Sequence, residues 1–215
     1  MELYFVRHGE TNWNLEHRYY GITDVELNDT GICQAKEVGI LLKNIPFDKI
    51  YTSPLIRTSE TCHHILGINK VTPKNIERNI DINLIEQNLG RFEGYTYKEL
   101  QVKFPQELEQ WNRDYQSAPH GGENFVEFYS RVMQFCEKEL KLNNIGIGEK
   151  EIVCSKELHN KKILIVSHMS VLRCMMIILL KMDFQSIWNF TFEQGAYSRI
   201  DVEDGYAIIK KLNQR

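Results

Sequence analysis

The chain has 215 residues, 42% of them hydrophobic and 26% charged, with a formal net charge of −3 at pH 7. This is the balance of an ordinary soluble globular protein, long enough for one sizeable domain spanning 1–215, and no linker divides it. Net negative charge argues against a nucleic-acid scaffold, which neutralises phosphates with clustered Lys and Arg, whereas a small anionic substrate needs only a local positive pocket.

The apolar run Leu3-Tyr4-Phe5-Val6 predicts a buried strand that opens directly into Arg7-His8-Gly9-Glu10-Thr11. Asn28-Asp29-Thr30-Gly31 carries N-cap chemistry, and Ala35, Val38, Leu41 and Leu42 recur behind it at helical spacing, which predicts a helix over about 30–43 that Pro46 ends. Residues 49–52 make the next strand and 55–66 the next helix, with Arg57 in its first turn, where backbone N–H groups add positive potential. Ile80, Ile82 and Leu84 alternate as in a strand and lead to Glu86. Over about 90–122 the character changes, because Gly90, Gly94, Pro105, Pro119, Gly121 and Gly122 punctuate short helical pieces. This segment reads as a lid inserted after a strand end, over the crevice.

Phe125, Phe128, Val132, Phe135 and Leu140 then give a long amphipathic helix starting near Glu123. Residues 143–162 read as a polar, mobile connection, 163–166 as a buried strand ending in Ser167-His168, and about 170–181 as a helix. Two further strands, 196–200 and 206–211, are turned by Asp204-Gly205. Alternating strands and helices imply an α/β fold, a three-layer α/β/α arrangement with a mostly parallel central sheet and a small helical lid insertion.

The five cysteines are scattered and form no C-x-x-C pair, so neither a disulfide framework nor a zinc cluster is expected, and reduced cytosol fits best. An apolar run of only four residues, 3–6, precedes Arg7, far short of a signal-peptide core, and the longest apolar run, 174–180, is bracketed by Arg173 and Lys181 well below a bilayer span. A cytoplasmic protein without a membrane partner is therefore expected.

Arg7 and His8, Arg57, and His168 each follow a predicted strand. Ligands bind in α/β domains at the ends of parallel strands, so two arginines and two histidines converge on one point if those strands are neighbours. The ordered set Arg7-His8-Gly9-Glu10-Thr11 with Asn14, Tyr20-Gly21, Leu27 to Gly31, Ser53-Pro54-Leu55 with Arg57 and Thr58, Glu86, and Ser167-His168 resembles the histidine phosphatase superfamily, the phosphoglycerate mutase-like group, over most of the chain.

That resemblance implies His8 as a nucleophile that forms a phosphohistidine, with its attacking nitrogen neutral. Arg7 and Arg57 offer the planar forks that suit phosphoryl oxygens. By the same resemblance, His168 in its charged form donates to a phosphoryl oxygen, and Glu86 protonates the leaving oxygen and later deprotonates water. For that role Glu86 needs a pKa raised by burial and by the bound phosphate, against the pull of the arginines. Asn14 adds an uncharged donor, and Thr11 and the Gly21 backbone are further substrate contacts. Asp81 and Glu93 lie close enough in sequence to take the acid's role instead. No cofactor or metal is expected. His63-His64 beside Cys62 face apart on a helix, and His17, His120 and His159 read as solvated. The pattern departs from the family at Met169, where glycine is common, and at Glu26, where proline is common.

Phosphatase and mutase activities begin with the same phosphohistidine. The stretch 91–119 is short and holds about as many acids as bases, unlike the basic patch of glycolytic mutases. Leu89 to Gly94 and Pro119 to Asn124 look like the phosphatase branch that includes α-ribazole-phosphate and broad-specificity phosphatases. The expected function is hydrolysis of a small phosphorylated metabolite, α-ribazole 5'-phosphate among the candidates. Phosphoglycerate mutase-type transfer is the alternative, and a non-catalytic phospho-ligand sensor a third reading. A homodimer is left open.

Overall fold

Strand β1 (Glu2–Arg7) lies inside the central sheet with Leu3, Tyr4, Phe5 and Val6 all buried, as a strand covered on both faces requires. The structure is a computed structural model and describes residues 1–215. After β1 come the short α1 (Asn12–Leu15), whose N-cap is Thr11, and α2 (Asp29–Leu41), whose first turn is closed by Gly31 N donating to Asn28 Oδ1 at 2.8 Å. Strand β2 (Lys49–Thr52) and helix α3 (Ile56–Ile68) follow, with Arg57 in the first helical turn.

Strand β3 (Arg78–Ile80) ends earlier than the alternation of Ile80, Ile82 and Leu84 predicts. Asp81 accepts from Asn83 N at 2.8 Å and tightens 82–84 into a 3₁₀ turn. Ile80 and Ile82 therefore face solvent while Leu84 alone enters the core. Next come α4 (Tyr97–Lys103), α5 (Pro105–Arg113) and the amphipathic α6 (Phe125–Lys138). The connection read from sequence as polar and mobile holds a ribbon of β4 (Leu142–Asn143) and β5 (Val153–Cys154), and Ile145, Ile152 and Leu158 within it are buried. The chain closes with β6 (Lys162–Ser167), α7 (Met169–Leu179), β7 (Tyr197–Glu203) and β8 (Tyr206–Gln214).

The six-stranded sheet has the order β3-β2-β6-β1-β7-β8. The first four strands run parallel, and β7 and β8 add an antiparallel edge. Alternation along each strand splits the core in two. Leu3, Phe5, Ile163 and Ile165 pack with α6 and α7 on one face, and Tyr4, Val6, Leu164 and Val166 with α2 and α3 on the other. A smaller cluster of Leu89, Phe92, Leu100 and Leu108 holds the segment after Glu86 together. No helix is long and apolar enough to cross a membrane.

Register places the site. Arg7 pairs with Ser167 and Thr52 with Val166, so the residues that leave β1, β2 and β6 emerge side by side at one edge of the sheet. These are His8, Ser53 and His168. The turn after β1 is tight because the backbones of Gly9 and Gly31 touch: a Cβ on Gly9 would stand 2.4 Å from Gly31 O.

Candidate active site

The rings of His8 and His168 lie 5.3 Å apart, centroid to centroid. His8 is only 3% exposed, and its Nδ1 lies 2.7 Å from the carbonyl oxygen of its neighbour Gly9. A carbonyl only accepts, so Nδ1 carries the proton and Nε2 keeps its lone pair. Burial first, then Arg57 and Arg7, push the His8 pKa well below its ordinary value and keep the ring neutral.

Arg57 is 0% exposed although it sits on a first helical turn. Its Nε donates to His168 Nδ1 at 3.3 Å, Nη1 to Thr23 O at 2.8 Å and Nη2 to Gly21 O at 2.7 Å. Its guanidinium also lies over the Tyr20 ring at 4.7 Å. Arg7 donates from Nη1 to Phe192 O at 3.3 Å, while its buried Nε has no partner in the protein. Both arginines border the same cavity, of about 430 Å³, as do His8, Asn14 and Glu86.

His168 is 0% exposed. Because Arg57 Nε can only donate, His168 Nδ1 accepts, and the ring proton sits on Nε2, 2.8 Å from Ser53 Oγ. The charged form expected from sequence is disfavoured in this arrangement. Burial and then Arg57 lower the His168 pKa well below its ordinary value, and both ring nitrogens already have neighbours in the protein.

Glu86, 9% exposed, comes from the loop after the 3₁₀ turn. Its Oε1 accepts from Gln87 N at 2.9 Å and its Oε2 from Ser170 N, in the first turn of α7, at 3.2 Å. The two nearby acids are engaged elsewhere. Asp81 caps the 3₁₀ turn, and Glu93 accepts from Ile22 N at 3.0 Å, Thr23 N at 2.8 Å and Leu89 N at 3.1 Å.

Asn14 accepts at Oδ1 from Thr11 N and from Gln194 Nε2, which leaves its amide N–H groups for the cavity it borders. Thr11 and Gly21 are not brought to the cavity wall. Thr11 is fully buried, caps α1, and donates from Oγ1 to the Tyr20 hydroxyl at 2.9 Å. Gly21 packs so closely that an added Cβ would lie 1.8 Å from Gln87 O, and its carbonyl serves Arg57. Met169 borders the cavity and turns its thioether to accept from Phe192 N at 3.3 Å. His17, His63, His120 and His159 face solvent, and no three or more His, Cys, Asp or Glu side chains gather to hold a metal ion.

Trp111 and Tyr115, from the segment read as a lid, line the far wall of the cavity. Sequence reasoning missed the rest of that wall: Phe125 and Trp188 complete it, and Arg173 stands over the Trp188 ring at 5.4 Å while donating from Nε to Phe190 O at 2.6 Å. One signal was present. Arg173 interrupts an apolar helix one turn after the strand end that supplies His168.

Residues 3–215 match the family described as histidine phosphatase superfamily (branch 1), and the chain belongs to that superfamily. The adenosylcobalamin/alpha-ribazole phosphatase of Salmonella typhimurium is 32% identical over 216 residues, covering 100% of this chain and 97% of the relative. A 2,3-bisphosphoglycerate-dependent phosphoglycerate mutase of Cytophaga hutchinsonii is 32% identical over 195 residues, 90% of this chain and 84% of that one. The crystal structure of the alpha-ribazole phosphatase from Shigella flexneri superposes with a TM-score of 0.84 at 30% identity, covering 100% of this chain and 96% of the other.

Proposed function

We propose that this phosphatase hydrolyses the phosphomonoester of a small metabolite through a phosphohistidine on His8. The observation that carries the reading is the pairing of His8 Nδ1 with Gly9 O at 2.7 Å, which leaves a neutral Nε2 lone pair in a pocket bordered by Arg7 and Arg57. In the first step Nε2 attacks phosphorus, the P–O ester bond breaks, and Glu86 in its acid form gives its proton to the leaving oxygen. In the second, water attacks the phosphohistidine, Glu86 takes the water's proton, and the P–N bond breaks to release inorganic phosphate. Arg7 and Arg57 neutralise the phosphoryl oxygens, with Asn14 as an uncharged donor. The arriving dianion raises the proton affinity of His168, so this ring becomes charged as substrate binds, its new Nδ1 proton displacing the bond from Arg57 Nε. The charge needed comes from side chains, and the reaction runs without a metal or cofactor in the cytoplasm.

The segment 90–122 acts as the lid of a single domain, a role supported by Trp111 and Tyr115, which reach from it to the cavity. In its finer form the reading takes α-ribazole 5'-phosphate as substrate. The name of the Salmonella relative supports this, and so does the aromatic far wall, against which a planar base can stack. The Cytophaga relative favours a second reading, mutase-type transfer.

A panel of p-nitrophenyl phosphate, α-ribazole 5'-phosphate, phosphoserine and 3-phosphoglycerate with 2,3-bisphosphoglycerate separates the readings. Phosphate release that EDTA leaves unchanged is expected, fastest with α-ribazole 5'-phosphate. Isomerisation of 3-phosphoglycerate with little phosphate release establishes the mutase instead, and absence of any turnover establishes a sensor.

A further inference from the structure

We propose that Arg131 is a positioning residue that holds the loop carrying Glu86, an inference that rests on the reading of Glu86 as proton donor. Arg131 projects from α6, and all five of its N–H groups find acceptors. Nη1 donates to Asn83 O at 2.8 Å and Ile85 O at 2.7 Å, and Nη2 donates to Glu86 O at 3.1 Å. The remaining two go to one carboxylate, Nε to Glu123 Oε1 at 2.7 Å and Nη2 to Glu123 Oε2 at 2.9 Å. The guanidinium also covers the Phe128 ring at 4.9 Å.

The loop needs such a partner. Beyond the 3₁₀ turn at 82–84 it belongs to no strand or helix, so its carbonyls have no ladder to satisfy them. One planar fork takes three carbonyls, Asn83 O within the turn and Ile85 O and Glu86 O beyond it, the last belonging to the acid itself. Glu123 extends the grip, since its N donates to Asn88 O at 2.8 Å and its carbonyl accepts from Gln87 Nε2 at 3.1 Å. Ser167 Oγ fixes the other side by donating to Leu84 O at 2.8 Å. Arg131 itself does not border the cavity. It acts on the reaction only through the main chain of the acid, and its loss lets the Glu86 carboxylate drift from its two backbone donors.

A staple of the fold and a clamp on the acid are told apart by the leaving group. An alkyl phosphate needs its leaving oxygen protonated, whereas p-nitrophenolate needs little help. The test compares wild type, Arg131→Lys, Glu123→Gln, Glu86→Gln and the Arg131→Lys/Glu86→Gln pair on an alkyl phosphate and on p-nitrophenyl phosphate, with thermal melts to confirm folding. Arg131→Lys is expected to lower kcat/KM, which reports phosphoryl transfer to His8 and not the hydrolysis step that both substrates share, by roughly tenfold or more on the alkyl phosphate and by less than about threefold on p-nitrophenyl phosphate. Glu123→Gln, nearly isosteric, is expected to shift both rates in the same selective direction by a smaller factor. The double variant is expected to be no slower than Glu86→Gln alone.

Equal losses on both substrates in Arg131→Lys and Glu123→Gln, or losses that multiply in the double variant, overturn the clamp while leaving Glu86 as the acid. A Glu86→Gln variant that loses equally on both substrates removes the acid assignment first, and the clamp with it.

Discussion

Replacing Arg57 separates its work on substrate from its work on the fold. A guanidinium has five N–H groups, and in this structure three of them go to His168 Nδ1, Thr23 O and Gly21 O. Two remain for phosphoryl oxygens. Charge-assisted bonds of this kind contribute about 1.5–3 kcal/mol each, so Arg57→Ala forfeits about 3–6 kcal/mol of transition-state binding, a fall in kcat/KM of roughly two to four decades. Arg57→Lys keeps a charge but not the fork and is expected to recover roughly half of that loss on the logarithmic scale. Stability moves less. Leaving Thr23 O and Gly21 O unpaired costs about 1–3 kcal/mol each, and removing a desolvated charge offsets part of it. The assay is kcat/KM on p-nitrophenyl phosphate beside urea unfolding of the same preparations. A folded Arg57→Ala enzyme within threefold of wild type refutes the clamp, and so does a rate loss fully accounted for by the unfolded fraction.

The buried histidines make stability pH-dependent with a definite sign. His8 and His168 are held neutral in the folded state with pKa values well below the ordinary one, so below about pH 6.5 the unfolded chain binds protons that the folded one refuses. Unfolding free energy should therefore fall as pH drops from about 6.5, by up to about 1.4 kcal/mol per pH unit for each histidine, and His8→Asn should halve the slope. Chemical denaturation between pH 7 and 5 checks this, and a flat profile contradicts it. Gly21→Ala drives a Cβ to within 1.8 Å of Gln87 O, so the backbone at Gly21, whose carbonyl holds Arg57 Nη2, and the backbone at Gln87 must separate. Such overpacking is expected to cost about 1–3 kcal/mol of stability and at least roughly tenfold in kcat/KM. A wild-type melt with wild-type kinetics would rule out the coupling.

What the sequence made legible were the features carried by local chemistry. The run Leu3 to Val6, the Asn28 cap and the strand end at Ser167-His168 each declare themselves through burial period or capping residues, and the parallel register then brings His8 and His168 within 5.3 Å. Side chains whose work depends on tertiary partners were harder to read. Thr11 reads as a substrate contact but spends its hydroxyl on a cap and on Tyr20. Ile82 follows a strand alternation, yet the Asp81 side chain diverts the backbone into a turn. Arg131 and Arg173 sit on helices remote in sequence from what they hold, and no local pattern marks an arginine whose acceptors are carbonyls of another loop.

Covalent capture tests the central chemistry most directly. Rapid quenching of the enzyme with a ³²P-labelled phosphomonoester, followed by peptide mapping, should give a label that is stable to base and lost in acid, carried by the peptide containing His8 and absent from His8→Ala. Label that survives in His8→Ala, or that maps to any other residue, would contradict the account.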